Sequence, residues 1–420
     1  MSILKTTVGI LAALASTSSI ALADWPAFRG PQRDGILRGQ SIPLKWSATE
    51  NVLWRTELPG QGWSSPVVSG QKVYLTAAVP QSGSDGGSGA TAFDLNLITL
   101  DANTGSMLDT RTVLVQSTDA PRIHSKNSHA SPTPIIQGDR IYLHFGHLGT
   151  ACLTLEGETI WKNESLSYSP VHGNGGSPAL AGDLLIFSRD GKDTAVVTAL
   201  DKHTGKVVWE TTRDVEASRK FSFCTPLLAT LGGREQLILP GSNVVQSLDP
   251  VDGSELWRVR YDGYSVIPRP IVDSGLVFVA TGYNRPSLLA IDPTGSGDVT
   301  ETHLKWKEKT SVPHTPSLIA LGGSVAMVSD KGIASCLDSS SGDLKWKLRV
   351  GGNFSASPVL YGTRLLLQDE QGVCSVIDLS AANPEILHTN ELGERTLASF
   401  AVYENTLLLR SDKALYRISE

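Results

Sequence analysis

The stretch ALDKHTGKVVW, residues 199–209, contains an aspartate, a Thr-Gly pair and a tryptophan eight residues after the aspartate. Most of this pattern recurs along the chain, and the aligned copies carry their acidic residue at positions 101, 156, 201, 249, 292, 338 and 378. Neighbouring copies are therefore 40 to 55 residues apart. A period of about 40 to 50 residues, built from short strands, is typical of the blades of a β-propeller.

A second repeated feature marks the start of each unit: a small hydroxyl residue, usually followed by a proline and then an apolar run. In the fifth unit an arginine takes the hydroxyl position, and the eighth unit lacks the proline. The eight positions are Ser65, Ser131, Ser177, Thr225, Arg269, Thr315, Ser357 and Ser399. The third unit has strand-like runs at 178–181, 184–188, 195–200 and 206–210, separated by Gly and Asp turn residues. The sequence therefore predicts eight blades of four strands each.

The residues of the repeat have structural roles. The aspartate accepts hydrogen bonds from backbone amides two residues on, the glycine supplies a positive φ, and the tryptophan packs between neighbouring blades. The eighth unit, which starts at Ser399, has only three strands, and the missing one is NVLWRTEL at 51–58, with Trp54 in the tryptophan position. We therefore expect an all-β, eight-bladed propeller, a single domain over residues 24–420, closed by strands from both ends of the chain.

The first 23 residues have the composition of a secretory signal peptide: one lysine, a short apolar run and the small-residue ending Ala21-Leu22-Ala23. Cleavage after Ala23 would deliver the mature protein to the periplasm or the cell exterior. No later stretch is long and apolar enough to span a membrane. The formal net charge of −6, with no basic block, argues against nucleic acid as a partner. We expect a monomer.

The four cysteines are predicted to be free thiols. Three of them lie inside apolar strand-like runs, where a buried thiol behaves as a small hydrophobic side chain. No CxxC or CxxCH motif indicates a zinc ribbon or an attached haem. The four are Cys152, Cys224, Cys336 and Cys374.

The stretch at 199–209 matches the A-x-D-x-x-T-G-x-x-x-W docking motif of pyrroloquinoline quinone (PQQ) repeats, and the chain resembles that superfamily over almost its whole mature length. The superfamily includes quinoprotein dehydrogenases and the outer-membrane barrel-assembly scaffold, which binds no quinone. DWPAFRGPQRDG at 24–35, together with HSKNSHASPTP and YSPVHGNGGSP, further resembles exported PQQ-repeat proteins of planctomycete-type bacteria.

Two departures from these relatives bear on function. The quinoprotein alcohol dehydrogenases carry two adjacent cysteines beside the cofactor, and no two cysteines are adjacent in this chain. The barrel-assembly scaffold carries a lipid-modified N-terminal cysteine, where Asp24 stands here. Neither function transfers directly through the resemblance.

The loops that precede the innermost strands of a propeller converge on one mouth of its channel, and we expect the functional site there. In the ring of hydroxyl positions, which could simply cap strand ends, Arg269 stands out because a guanidinium favours a carboxylate or phosphate. The alternative for Arg269 is a salt bridge to an acidic residue such as Asp262. The other candidates in these loops are Trp63, His124, Lys126, Asn127, His129, His172, Asn174, Tyr264 and His314.

Cofactor sites are less well supported by these loops. Imidazole could bind zinc or copper, but no tight histidine spacing indicates a site, and we predict no metal. A quinone with calcium needs carboxylate and amide oxygens, and the loops are poor in Asp and Glu.

We therefore expect a binding or scaffold protein that contacts a small molecule, a glycan or a protein partner at the channel mouth. The alternatives are a PQQ-dependent dehydrogenase that oxidises an alcohol or sugar, and a carbohydrate-binding or adhesive propeller. Catalysis is not favoured.

Overall fold

The computed structural model describes residues 25–39, 41–81, 92–117, 120–283 and 285–420. The predicted signal peptide and Asp24 lie outside the described residues. Within those ranges the chain forms eight antiparallel sheets of four blade strands each, which confirms the eight-bladed all-β propeller. Blades are numbered here by the order of their innermost strands along the chain.

The strands of each blade are given from the innermost outward. Blade 1 has Val67–Ser69, Lys72–Pro80, Phe93–Asp101 and Met107–Gln116. Blade 2 has Ile135–Gln137, Arg140–His144, Thr150–Thr154 and Thr159–Asn163, with a 3-10 turn at Gly146–Leu148. Blade 3 has Ala179–Ala181, Leu184–Asp190, Ala195–Asp201 and Val207–Thr212. Blade 4 has Leu227–Leu231, Arg234–Gly241, Val244–Leu248 and Glu255–Arg260.

The second half of the ring follows the same order. Blade 5 has Ile271–Asp273, Leu276–Ala280, Leu288–Ile291 and Leu304–Glu308. Blade 6 has Ile319–Ala320, Ser324–Val328, Ile333–Asp338 and Leu344–Arg349. Blade 7 has Val359–Tyr361, Arg364–Gln368, Val373–Asp378 and Glu385–Glu391. Blade 8 has Ala401–Tyr403, Thr406–Arg410, Ala414–Ile418 and, from the N-terminal part of the chain, Val52–Glu57.

Two short strands add to this pattern. Gly297–Asp298 pairs in parallel with the outermost strand of blade 4. Ile36–Leu37 pairs in parallel with the innermost strand of blade 7. The predicted closing strand is confirmed, because Val52–Glu57 pairs with Ala414–Ile418 and carries Trp54.

The repeated tryptophans seal the seams between blades. Trp209 of blade 3 donates from Nε1 to the carbonyl of Pro250 in blade 4, at 3.2 Å. Its ring lies against Gly253, where φ is +74° and a Cβ would stand 2.5 Å from the indole. Trp54, Trp161 and Trp306 form the same contact with the next blade. The predicted structural role of the Gly and Trp positions is confirmed at these four seams, whereas Trp257 donates to Gln236 within its own blade.

The hydrophobic core is divided among the seams. Clusters of fully buried Val, Leu and Ile side chains lie within blades and between neighbouring blades all round the ring. All four cysteines are buried and free, as predicted. Among the described residues, no helix has the length and apolar character needed to cross a membrane.

Six hydrogen bonds of one kind join neighbouring blades where the innermost strands begin, counted over the described ranges. In each, the backbone N–H of a residue two before an innermost strand donates to the side-chain hydroxyl at the equivalent position of the next blade. We call this the hydroxyl ring. Its donor–acceptor pairs, at 2.8 to 3.1 Å, are Ser65–Thr133, Thr133–Ser177, Ser177–Thr225, Arg269–Ser317, Ser317–Ser357 and Ser357–Ser399.

Arginines bridge the other two seams. Between blades 4 and 5, Arg269 occupies a ring position and donates from Nε to the carbonyl of Pro226 at 3.2 Å. Between blades 8 and 1, Arg410 donates from Nη1 to the carbonyl and hydroxyl oxygens of Ser64. An arginine side chain thus joins the two blades at each of the two seams where the described residues show no amide-to-hydroxyl bond of the ring.

The predicted ring positions were wrong in two blades. The ring residue of blade 2 is Thr133 rather than Ser131, and that of blade 6 is Ser317 rather than Thr315. In both blades two hydroxyl residues flank one proline, and the pattern alone does not distinguish them. The hydroxyl of Ser131 instead bonds to Asn127 within its own loop.

The channel of the propeller contains the protein's own chain. Residues 25–38, which we call the plug segment, lie against innermost strands. Trp25 forms an antiparallel bridge with Val68 of blade 1, and the amide of Ile136 in blade 2 donates to the carbonyl of Pro26 at 2.8 Å. Because the innermost strands all run in one direction, the segment begins by running against them.

The plug segment then turns back along blade 7. Four of its residues between 29 and 35 have positive φ, and at Gly30 a Cβ would stand 2.9 Å from the ring of Trp25. The amide of Leu360 donates to the carbonyl of Gly35 at 2.9 Å, and the parallel pairing of Ile36–Leu37 follows. This tight reversal was not predicted from the sequence.

Candidate functional site

The channel mouth at which the innermost strands begin is a funnel with a volume of about 940 Å³. Phe28 of the plug segment contributes to its lining, so the funnel ends on the protein's own chain. This volume is typical of a site for a small molecule or a short peptide segment. Seven predicted site residues line it, namely Trp63, His124, Lys126, Asn127, His172, Tyr264 and His314.

An arc of aromatic rings runs along the funnel wall from blade 2 to blade 6. Consecutive rings have centroids 5.3 to 5.7 Å apart and are steeply inclined to one another, the geometry that aromatic pairs prefer. Tyr283 is 52% exposed, so at least this ring is available to a ligand. We call this set the aromatic arc, and its members in order are His124, His172, Phe221, Tyr264, Tyr283 and His314.

One end of the arc is built on a strained backbone. His172 has φ of +64°, a conformation that costs a non-glycine residue about 1 kcal/mol or more. Its carbonyl accepts hydrogen bonds from the amide of His124 at 3.3 Å and from Nδ2 of Asn127 at 2.8 Å. These bonds between the loops of two blades hold His172 in place. Partial burial and the nearby His124 lower the pKa of His172 below its ordinary value, which favours the neutral imidazole.

Cationic side chains stand around the arc without carboxylate partners. The Arg219 guanidinium lies 4.6 Å from the centroid of the Tyr264 ring and hydrogen-bonds the Tyr264 hydroxyl. Arg395 lies 5.5 Å from the centroid of the Trp63 ring, and Lys331 donates to an amide oxygen at 3.3 Å. None of Arg219, Lys331 and Arg395 forms an ion pair with a carboxylate among the described residues.

The carboxylates of this region are already engaged. Asp330 accepts hydrogen bonds from the amide of His314 at 2.6 Å and from the hydroxyl of Thr315 at 2.9 Å. Glu370 pairs with Lys126 at 2.6 Å and accepts from the Ser355 hydroxyl. The funnel therefore carries an excess of positive charge.

Three predicted site residues do not line the funnel. His129 is half-buried against Phe93, with ring centroids 4.7 Å apart, and burial lowers its pKa. Asn174 packs against Gly146 of blade 2, and its buried Nδ2 has no hydrogen-bond partner in the part of the chain that the structure describes. Arg269 is 3% exposed and lies in the channel against the plug segment, where its Nη1 donates to the carbonyl of Arg33 at 2.8 Å. The proposed salt bridge to Asp262 does not form.

Several funnel residues were missed from the sequence, notably Tyr283, Asp330 and Lys331. They lie in loops between the second and third strands of their blades, which reach the same face as the loops before the innermost strands. The sequence prediction placed only the loops before the innermost strands at this mouth. Because consecutive strands of a blade are antiparallel, both sets of loops could have been assigned to this mouth from the repeat alone.

The described residues offer little to a metal ion. They contain no group of three or more His, Cys, Asp or Glu side chains positioned to hold one. Asp330 is the carboxylate of the funnel lining, and both its oxygens already accept hydrogen bonds. A quinone–calcium pair, which the quinoprotein resemblance implies, requires several such oxygens around the ion, and these residues do not fit it.

Both the sequence and the structure of this chain are similar to those of known proteins. The sequence profile of a family described as outer membrane protein assembly factor BamB matches residues 44–170, 154–334 and 302–416. The structure of BamB from Moraxella catarrhalis aligns with a TM-score of 0.61 at 16% identity, covering 88% of this chain and 97% of that one.

Two other solved structures have the same architecture. The computationally designed Ika8 protein aligns with a TM-score of 0.61 at 11% identity, and the alignment covers 88% of this chain and 100% of the designed one. A europium-containing methanol dehydrogenase aligns with a TM-score of 0.56 at 11% identity, covering 85% and 89% of the two chains. At these identities the likeness concerns the fold alone. A search of curated protein sequences gives no match.

Proposed function

Because the chain belongs to the family described as outer membrane protein assembly factor BamB, which matches it from residue 44 to 416, we propose that it is an exported binding or scaffold protein. Its contact site is the funnel, and its partner is a protein that inserts an acidic segment. The site of action is the periplasm or the cell exterior. The observation that carries this proposal is the aromatic arc flanked by cations that form no ion pair with any carboxylate of the described residues.

The charge and shape of the funnel support an acidic polypeptide segment. A guanidinium stacked on an aromatic ring, as in the Arg219–Tyr264 pair, keeps N–H donors free for a carboxylate. The aromatic arc supplies apolar contact beside those donors. The volume of about 940 Å³ accommodates a short segment but not a folded domain.

Two observations support a binding role over quinone chemistry. The described funnel residues lack the set of oxygen ligands that a quinone–calcium pair needs, as set out above. The hydroxyls nearest the channel, such as Ser177 and Ser357, are already engaged in the fold, because they accept hydrogen bonds from backbone amides and hold the hydroxyl ring together.

A titration with labelled peptides tests the proposal. Fluorescence anisotropy would compare a hexaglutamate peptide with hexaglutamine, using wild type, Arg219→Ala and Arg260→Ala. Arg260 is a matched control because it is exposed on the outermost strand of blade 4 and already pairs with Asp298. We expect hexaglutamate to bind preferentially, about tenfold more weakly in Arg219→Ala, unchanged in Arg260→Ala, and more weakly as salt is raised.

Two results would contradict this function. Equal or absent binding of both peptides, with tight binding of an anionic oligosaccharide, would replace the protein partner by a glycan. Stoichiometric uptake of pyrroloquinoline quinone with calcium, accompanied by dye reduction in the presence of an alcohol or sugar, would show an enzyme instead of a scaffold.

A further inference from the structure

Three arginines meet inside the channel, beneath the funnel. Arg29 and Arg33 belong to the plug segment, and Arg269 belongs to blade 5. Arg29 is 2% exposed and Arg269 is 3% exposed. Interior arginines are rarely left without an acidic partner, because removing a charge from water is expensive unless it is compensated.

Hydrogen bonds bring two of these guanidinium groups close together. Arg269 donates from Nη1 to the carbonyl of Arg33 at 2.8 Å. Arg29 donates from Nη2 to the carbonyl of Asp34 at 2.7 Å and to that of Leu318 in blade 6 at 2.6 Å. Since residues 33 and 34 are consecutive, both guanidinium groups are held by the same short stretch of backbone.

Among the described residues, the positive charge of the three arginines exceeds the negative charge that acts on them. None of the three arginines forms an ion pair with a described carboxylate. The charge of Asp34 acts on Arg29 and Arg269, but one of its oxygens is paired with Arg38 at 2.6 Å and the other accepts from the amide of Ile36. Two buried nitrogens of Arg29, Nε and Nη1, have no hydrogen-bond partner among the described residues.

The pKa values of the buried arginines also indicate that their positive charge is not fully compensated. Burial lowers the pKa of Arg269 to about 9, and the charges of Arg33 and Arg29 contribute to this lowering. Burial likewise lowers the pKa of Arg29 to about 10. Each guanidinium is thus less stable as a cation in the channel than in water, and an anion beside them would remove this penalty.

We propose that a small inorganic anion, a halide or a phosphate-sized oxyanion, binds in the channel against Arg29 and Arg269 and fastens the plug segment to blades 5 and 6. The carboxylate or phosphate chemistry expected for Arg269 from the sequence is retained, but its place is beneath the funnel instead of in it. This site is independent of the partner proposed for the funnel.

Thermal unfolding in different sodium salts tests the site. Wild type would be melted in chloride, in phosphate and in gluconate at equal ionic strength. We expect a Tm higher by about 2–5 °C in chloride or phosphate than in gluconate, and the better of the two identifies the anion. The difference in Tm between the salts should disappear in Arg269→Met. It should become smaller in Arg33→Gln, which is a milder change and serves as the test if Arg269→Met does not fold.

Arg410→Met is the matched control. Arg410 is equally buried, at 2%, and within the described ranges its Nε also has no partner, but no other arginine there contributes to its electrostatics. Its variant should keep the salt-specific rise in Tm. Persistence of the rise in both variants would mean a general salt effect, and its loss in both would mean that it is not specific to this site; either result would overturn the proposal.

A crystallographic measurement gives a readout that does not depend on variants. Crystals of the wild-type protein soaked in bromide should show an anomalous peak next to Arg29 and Arg269. Water alone at that position, with no anomalous signal and no difference in Tm between chloride, phosphate and gluconate, would refute the anion site.

Discussion

The ring of His144 shows how strongly burial acts on a single side chain in this fold. It stacks against Phe187 of the next blade with centroids 4.2 Å apart, and its Nδ1 lies 2.8 Å from the hydroxyl of Thr150. Burial lowers its pKa to about 3, with smaller contributions from the charges of Arg189 and His147. The native state therefore requires the neutral imidazole.

This shift predicts a loss of stability in acid. Because the folded pKa of about 3 lies below the ordinary value near 6.5, the unfolded chain takes up the proton first. The contribution of His144 is complete above pH 6.5 and is lost as the pH falls toward 3. Between pH 7 and 4.5 we expect wild type to lose about 2–3 kcal/mol more than His144→Gln. Urea unfolding at the two pH values measures this, and equal losses in both proteins would contradict it.

At the scale of strands and loops, the hydroxyl ring shows what connects one blade to the next. The blades, their turns and their tryptophan seams could be predicted, because each depends on residues close together in sequence. The register of the ring could not be predicted at Ser131 and Thr315, because Thr133 and Ser317 lie just beyond the same prolines. Only the contact with the neighbouring blade distinguishes the members of each pair.

The hydroxyl ring predicts a difference between two similar serines. In Ser177→Ala the buried amide of Thr133 loses its acceptor, and we expect the free energy of unfolding to fall by about 1–3 kcal/mol. Ser131→Ala should lose less, since its hydroxyl bonds within its own loop. Chemical denaturation of both variants provides the comparison. If Ser131→Ala were the more destabilised, the assigned register would be wrong.

At the scale of the whole molecule, closure joins residues that are very far apart in sequence. Arg55 of the closing strand donates to the hydroxyl of Tyr416 at 3.0 Å, across 361 residues. The closing strand could be predicted because the last unit lacked one. The plug segment could not, since it lies outside the repeat and its partners are in blades 1, 2, 5, 6 and 7. Because the plug segment was not predicted, its contact with Arg269 was not predicted either, and Arg269 was expected in the funnel.

Closure predicts that the tryptophan contact between blades 8 and 1 contributes as much to stability as the same contact between blades 3 and 4. Trp54→Ala and Trp209→Ala each remove an indole from the same contact with the next blade, and each should lower the free energy of unfolding by about 2–5 kcal/mol. We expect one unfolding transition in both variants, measured by near- and far-ultraviolet circular dichroism together. A separate early transition in Trp54→Ala alone would mean that the ring opens before it unfolds.

The plug segment also constrains the order of events during synthesis. Its residues leave the ribosome early, yet Leu360, to which Gly35 bonds, is made more than 300 residues later. Trp25 can pair with Val68 of blade 1 early, but the part of the plug segment around Gly35 has no native partner until most of the blades are translated. This part of the nascent chain therefore stays unpaired for on the order of tens of seconds at ordinary elongation rates. Holdase chaperones that recognise such segments would find their substrate in the part of the protein that native contacts cover last.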